Sequence, residues 1–222
     1  GSEMCIRDSI IMEQVSNLLF WISSGLLVPV IVGLLFFFAK SIIMLGSFVN
    51  QYIQRTKQDK QLRLRMAALD ASTIRNFSEE LNDEPDNLFN NTARSILSVS
   101  STATANRILS EYEITADAEL GKYKVLVKFG PILGLMGTLI PMGPALAGLS
   151  TGDISSMAYN MQVAFATTVL GLFSGAVGFI LLQVKQRWFT SDLVYLDFLS
   201  ELQKERAFTV QTKLTTTKAV NE

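Results

Sequence analysis

Three stretches of this chain, 18–39, 129–152 and 154–184, contain no Asp, Glu, Lys or Arg. A helix needs about 20 predominantly apolar residues to cross a hydrocarbon core about 30 Å thick, and each stretch reaches that length. Three such runs would be an unusual soluble core, and charged residues are only 18% of the 222, against the usual quarter. The expectation is an all-α membrane protein with three transmembrane helices extended into a cytoplasmic helical region. The third stretch has 31 residues, about 46 Å of helix, so it must tilt or run on past the lipid.

Basic residues set the orientation of such a chain. Eleven Lys and Arg, from Arg55 to Lys128, separate the first two spans, and six follow the third. On the other side stands Arg7, and the turn 150–153 has no basic residue. This predicts an outward N-terminus and an inward C-terminus. Residues 1–9 are expected to be a disordered tail or cloning remnant, 10–49 the first transmembrane helix and 50–128 a cytoplasmic helical insert. The second and third transmembrane helices are expected over 129–152 and 153–186, and a cytoplasmic C-terminal helix and tail over 187–222. Within the insert, 51–73 is rich in helix formers and should continue the first span. Residues 82–87 read as a turn or linker, and helical intervals resume over 87–128. The insert's mixed charges read as a solvated face, with partner docking as the alternative. Trp188 and Phe189, beside Lys185 and Arg187, read as an aromatic and basic anchor at the inner interface. The polar end, 209–222, reads as frayed.

The chain has no histidine and one cysteine, Cys5. That removes imidazole bases, His metal ligands and any intrachain disulfide. With no GxSxG, P-loop or metal cluster, no enzyme activity and no cofactor or metal are expected. The surroundings are a lipid bilayer, and no nucleic acid partner is expected.

The second and third charge-free stretches carry a pattern of small residues. Gly130, Gly134, Gly137, Pro141 and Gly148 recur near helical spacing. Pro141 and Pro144 each delete a backbone hydrogen bond that lipid cannot replace, which predicts a kinked or cavity-lining helix. In the third stretch Asn160, Ala164, Thr167 or Thr168, Gly171, Ser174 or Gly175, and Gly178 form a second small and polar face. Gly130-xxx-Gly134 and Gly171-xxx-Gly175 both fit close helix contact. Two readings stand: helix packing, the commoner use of such faces, and pore lining. The polar side chains available are Thr138, Thr167, Thr168, Asn160, Gln162 and Ser174, with no titratable group among them. Ionisable groups usually mark proton relays in membranes, so a proton path here would need an acid from a partner.

Gly134-Leu135-Met136-Gly137-Thr138-Leu139 and Ala166-Thr167-Thr168-Val169-Leu170-Gly171-Leu172 resemble the GLxGTV and ATAxGL-type segments of the MotA/TolQ/ExbB proton-channel family. The motif-level resemblance covers about 125–190, and three spans look like the TolQ/ExbB branch. The resemblance implies a homo-oligomeric ring, typically a pentamer, in a bacterial or archaeal cytoplasmic (inner) membrane. The ring would surround an ExbD/TolR-like partner whose single span carries an essential aspartate, and flow of H⁺ or Na⁺ past that group would drive mechanical work. The family's ring of threonines maps onto Thr138 and Thr168, with Thr167 competing for the second place. Pro141 and Pro144 depart from the usual pattern, which points to a divergent subfamily. The alternative is a membrane scaffold whose small faces pack helices without conducting ions.

Overall fold

The computed structural model describes residues 2–67, 69, 73–82, 86–99 and 101–220; side chains are described within these except at 2–11, 13, 16, 57–64, 67, 75, 76, 82, 207 and 209–220. The chain forms five helices: α1 (Ser2–Ala67), α2 (Ile74–Asn82), α3 (Leu88–Ser98), α4 (Thr102–Ser150) and α5 (Ile154–Val220), with no strand among the described residues. α1, α4 and α5 are each long and apolar enough to cross a membrane. The chain divides into two compact units, one of Gly1–Phe48 with Tyr123–Leu181 and one of Val49–Lys122 with Leu182–Glu222.

The first unit packs α1, α4 and α5. Phe37 stacks on Phe129 with ring centroids 6.2 Å apart, and Phe38 meets Phe173 at 5.5 Å. Gly33 lies against Leu133, and Gly143 against Phe20. As the α1 number rises, its α4 partner's number falls, so the two helices are antiparallel. The Phe37–Phe129 contact brings Lys40 and Lys128 to nearly one level. From that level, 17 on α1 and 150 on α4 are each about 33 Å away by helical rise, the thickness of a hydrocarbon core. The same level on α5 falls near residue 176. The third charge-free stretch therefore outlasts the core by about eight residues, roughly 12 Å.

The turn between α4 and α5 follows from Gly152 and Asp153. Gly152 takes φ +77°, a left-handed conformation that glycine adopts without steric penalty. This lets the Asp153 amide donate to Gly148 O at 2.8 Å and the Gly152 amide to Leu149 O at 3.2 Å, satisfying carbonyls that the helix end would orphan. The Asp153 carboxylate then accepts from the Ser156 amide at 3.0 Å, capping α5.

The second unit is built around bulky side chains. Met66, Phe77, Leu81, Phe89, Ala93, Ile96, Tyr112, Ala116, Leu196 and Leu199 form its core. Phe77 and Leu81 on α2, and Phe89, Ala93 and Ile96 on α3, recur every three or four residues, which gives each short helix one apolar face. Asn87 caps α3, its side chain accepting from the Asn90 amide at 2.7 Å. Arg94 ties the hairpin together, donating to Leu81 O from Nε (3.0 Å) and Nη2 (2.8 Å) and pairing with Asp86.

The backbone departs from the sequence expectations in three places. α1 is helical from Ser2, so the backbone of 2–9 is helical where a disordered tail or cloning remnant is expected; once a helix is nucleated, each added residue gains a hydrogen bond. α1 ends at Ala67 rather than running to 73, and α2 occupies 74–82. The expected linker at 82–87 is non-helical at 86–87, while 83–85 lie outside the described residues. The helical pattern over 87–128 is split between α3 and α4, because Ser98-Val99-Ser100-Ser101 offers poor helix formers in succession and Val99 is extended, at φ −103°, ψ 135°. α4 is one helix with Pro131, Pro141 and Pro144 inside it, as the reading of a kinked or cavity-lining helix allows. The frayed end expected over 209–222 falls on residues whose side chains lie outside the described set, with backbone helical to Val220.

Candidate functional site

The small-residue faces of α4 and α5 meet each other. A Cβ added at Gly171 would lie 2.7 Å from Gly130 O and from Gly134 Cα, and one at Gly130 would lie 2.9 Å from the Gly175 amide nitrogen. Gly175 faces Pro131 at 2.7 Å, Gly178 faces Leu126 at 3.1 Å, and Gly137 faces the Thr167 side chain at 2.6 Å. Real Cβ atoms essentially never come within 3.0 Å, so at Gly130, Gly137, Gly171 and Gly175 glycine permits the approach, while Gly178 sits in a tighter than usual contact. Pro141 is fully buried in the same unit. Of the two readings of the glycines, packing within the chain is the one these contacts realise. Gly148 does a related job, lying 3.2 Å from Asp153 O in the turn.

The hydroxyls divide into two groups. Thr167 is 4% exposed and Ser174 1%. Thr167 donates to Val163 O at 3.1 Å and Ala164 O at 2.9 Å, and Ser174 to Leu170 O at 2.8 Å. Both are sealed within the packed faces. Thr138 and Thr168 are only half-buried. Thr138 donates to Leu135 O at 2.7 Å, and Thr168 to Ala164 O at 2.9 Å. With each proton held by its own helix, the outward lone pairs of these two oxygens can still accept. Asn160 is half-buried and donates to Ser156 O at 2.9 Å, near the α4–α5 turn.

Helix geometry places Thr138 and Thr168 relative to one another. At about 100° per residue, Thr138 stands roughly 70° to one side of the α4 stripe of Gly130, Gly134, Gly137 and Pro141. Thr168 stands roughly 70° to the same rotational side of the α5 stripe of Ala164, Thr167, Gly171 and Gly178. Because α4 and α5 are antiparallel, equal offsets of one sense put both threonines on the same flank of the pair. The Gly137–Thr167 and Gly134–Gly171 contacts fix the register, and from it the two hydroxyls differ in level by about 3 Å. The residues that touch α1, namely Phe129, Leu133, Gly143 and Phe173, fall on the opposite flank. The threonine flank is otherwise lined by exposed apolar side chains, among them Leu135, Met142, Leu172 and Phe179.

A second polar constellation, in the other unit, escaped the sequence reading. Asp192 is 3% exposed, pairs with Arg55 and accepts from the Tyr112 hydroxyl at 3.1 Å. Burial, reinforced by the Asp192 carboxylate, pushes the Tyr112 phenol above its ordinary range, so it remains a donor. The signal was present: Asp192, Leu196 and Leu199 share the spacing of one buried face, so an acid there must find a partner. Nearby, Lys185 donates to Gln51 at 2.7 Å and lies over the Trp188 ring, which stacks on Tyr52. Phe189 is partly buried, packs against the core and makes a T-shaped ring contact with Tyr112.

The family model of the MotA/TolQ/ExbB proton channel family matches residues 80–194. No curated protein and no solved structure matches the chain.

Proposed function

The chain belongs to the MotA/TolQ/ExbB proton channel family, an ion-driven, motor-type family of membrane proteins, and from that premise we propose that it is the ring-forming subunit of an inner-membrane ion-driven motor. Thr138 and Thr168 form its polar level, H⁺ or Na⁺ passes there, and a single-span partner supplies the intramembrane aspartate. The N-terminus faces outward and the two basic regions face the cytoplasm.

The observation that carries this reading is the shared open flank. In a ring, α1 on the far side becomes the outer wall and the flank bearing Thr138 and Thr168 turns inward. Two hydroxyls whose protons are held by their own helices present acceptors at one level, amid apolar side chains. Such oxygens can receive a hydrogen bond from water or a protonated carboxyl group, or contribute to Na⁺ coordination, without a fixed charge that would trap the ion. Thr167 and Ser174, sealed between the helices, are assigned to packing.

The test compares three substitutions that remove a hydroxyl and keep the branched shape. Thr138→Val and Thr168→Val should each reduce partner-dependent ion flux by roughly tenfold or more, the scale of one lost hydrogen bond in a transfer step, while the oligomer persists. Thr167→Val should leave flux within about twofold. A plain scaffold predicts that none of the three changes flux, and that result would end the channel reading.

A further inference from the structure

We propose that Lys40 and Lys128 form a binding site for the phosphate of an anionic phospholipid, seated in the groove between α1 and α4 of the first unit. The proposal goes beyond the channel reading and does not involve the threonine level. Lys40 is the one charged residue of α1 between Glu13 and Arg55, set in an otherwise uncharged run with Ile42 and Ile43 exposed just beyond it. Lys128 borders the charge-free stretch of α4 and is exposed. The Phe37–Phe129 stack puts the two lysines within about 3 Å of one level. Among the described residues neither ammonium has a carboxylate partner. Lys40 instead rests over Phe36, with Nζ 5.9 Å from the ring centroid. An ammonium at the edge of the hydrocarbon is costly unless it reaches water or a counter-charge.

Helix geometry puts both cations on one groove. Phe37 and Gly33 mark the side of α1 turned to α4, and Phe38 the side turned to α5. At about 100° per residue, Lys40 and Phe36 fall roughly 60° and 100° from Phe37, on the side away from Phe38. On α4, Phe129 faces α1 and Gly130 faces α5. Lys128 and Ile132 fall roughly 100° and 60° from Phe129, on the side away from Gly130. The lysines therefore flank the α1–α4 groove on the face turned away from α5. Phe36 and Ile132 each stand one turn deeper in the lipid than their lysine, and they are 61% and 51% exposed. A phosphate between the lysines accepts from both ammoniums, whose flexible stems absorb the small difference in level, and its acyl chains continue along this apolar wall. A free phosphate gains nothing from the wall. Two cations also favour a headgroup of net negative charge over a zwitterionic one, which brings its own cation; basic pockets between spanning helices recognise anionic headgroups in this way. With the orientation proposed above the site lies in the cytoplasmic leaflet, and the opposite orientation would move it to the other leaflet without changing its chemistry.

The experiment uses the full chain in phosphatidylcholine vesicles that hold either brominated phosphatidylglycerol or brominated phosphatidylcholine. Phe36→Trp, on a Trp21→Phe and Trp188→Phe background, reports lipid at the groove, because bromine quenches indole only at short range. Quenching should show a preference for the anionic lipid of roughly twentyfold, at about fivefold per lysine. Lys40→Gln and Lys128→Gln should each lower that preference about fivefold. The double change should abolish it, whereas Lys40→Arg and Lys128→Arg should keep it. Lys122→Gln, at a lysine of the second unit, should change it by less than about twofold. An equal loss from Lys122→Gln would mean diffuse surface attraction, and displacement of the lipid by inorganic phosphate would mean a simple ion site. No quenching by either lipid would mean that a protein surface covers the groove. Each of these results overturns the proposal, as does a preference that survives the double change. None of these readouts is ion flux, so Thr138→Val and Thr168→Val judge the channel reading separately.

Discussion

The α4–α5 pair of the first unit and the core of the second unit solve the same problem, holding long helices together, with opposite chemistry. In the first, Gly130, Gly134, Gly171 and Gly175 let two backbones touch, and Thr138, Asn160, Thr167, Thr168 and Ser174 bond to carbonyls of their own helices. In the second, Phe77, Phe89, Ile96, Leu196 and Leu199 fill the space between helices, and a buried aspartate is held by an arginine and a tyrosine. Lipid tails are as apolar as leucine, so burial in lipid offers no hydrophobic gain, and close dispersion contact must replace it. Where water competes, bulk wins because every apolar group removed from it contributes. Glycine is thus the adhesive residue in one unit and a weak helix former in the other.

The comparison breaks most visibly at Gly171. Replacing it by leucine places a Cβ 2.7 Å from Gly130 O and Gly134 Cα, and backbone atoms have no rotamer with which to yield. The loss should exceed the roughly 1–3 kcal/mol usual for overpacking, read as a fall in the SDS fraction needed to unfold the chain. Unchanged resistance would mean that the helices do not touch there. Next in size is Asp192→Ala. It removes the carboxylate that a mostly buried guanidinium and a buried phenol share, and should destabilise the second unit by about 3 kcal/mol, the low end for a broken buried pair, since Arg55 keeps some solvent contact. Trp188, stacked on Tyr52, reports the loss by fluorescence once Trp21 is replaced by Phe. The double change Arg55→Met with Asp192→Leu should recover most of it, because the two charges of the pair leave together.

Much of this contrast was legible in the sequence. Charge-free stretches placed the three long helices, because a helix in lipid cannot hide a charge. Glycine spacing marked the faces on α4 and α5 that meet. What spacing left open was the direction of adjacent residues: Thr167 and Thr168 differ by about 100° of rotation, and only the contact with Gly137 puts Thr167 inside the pair. Pro141 has the rise and bulk to sit in the buried stripe, and a missing amide does not end a helix that neighbouring turns continue. The second unit was harder to read. Its short helices rest on capping by Asn87 and on Arg94 reaching Leu81 O, contacts set by tertiary placement. The Arg55–Asp192 pair joins residues 137 apart in sequence, a separation no local pattern encodes.

The smallest expected effect tests whether glycine's role changes sign between the units. Gly121 lies inside α4 in the second unit, and a Cβ added there would meet nothing within 4 Å. Its backbone is helical, so alanine fits without strain and forfeits less conformational entropy on folding. Gly121→Ala should therefore raise the stability of the second unit by about 0.5–1 kcal/mol, seen as a small upward shift in the same Trp188 unfolding curve. The identical change at Gly134, where a Cβ would stand 3.2 Å from Gly171 Cα, should move the SDS midpoint down. If both substitutions shift stability the same way, then helix propensity rather than backbone contact governs these glycines, and the contrast between the two units fails at its most basic residue.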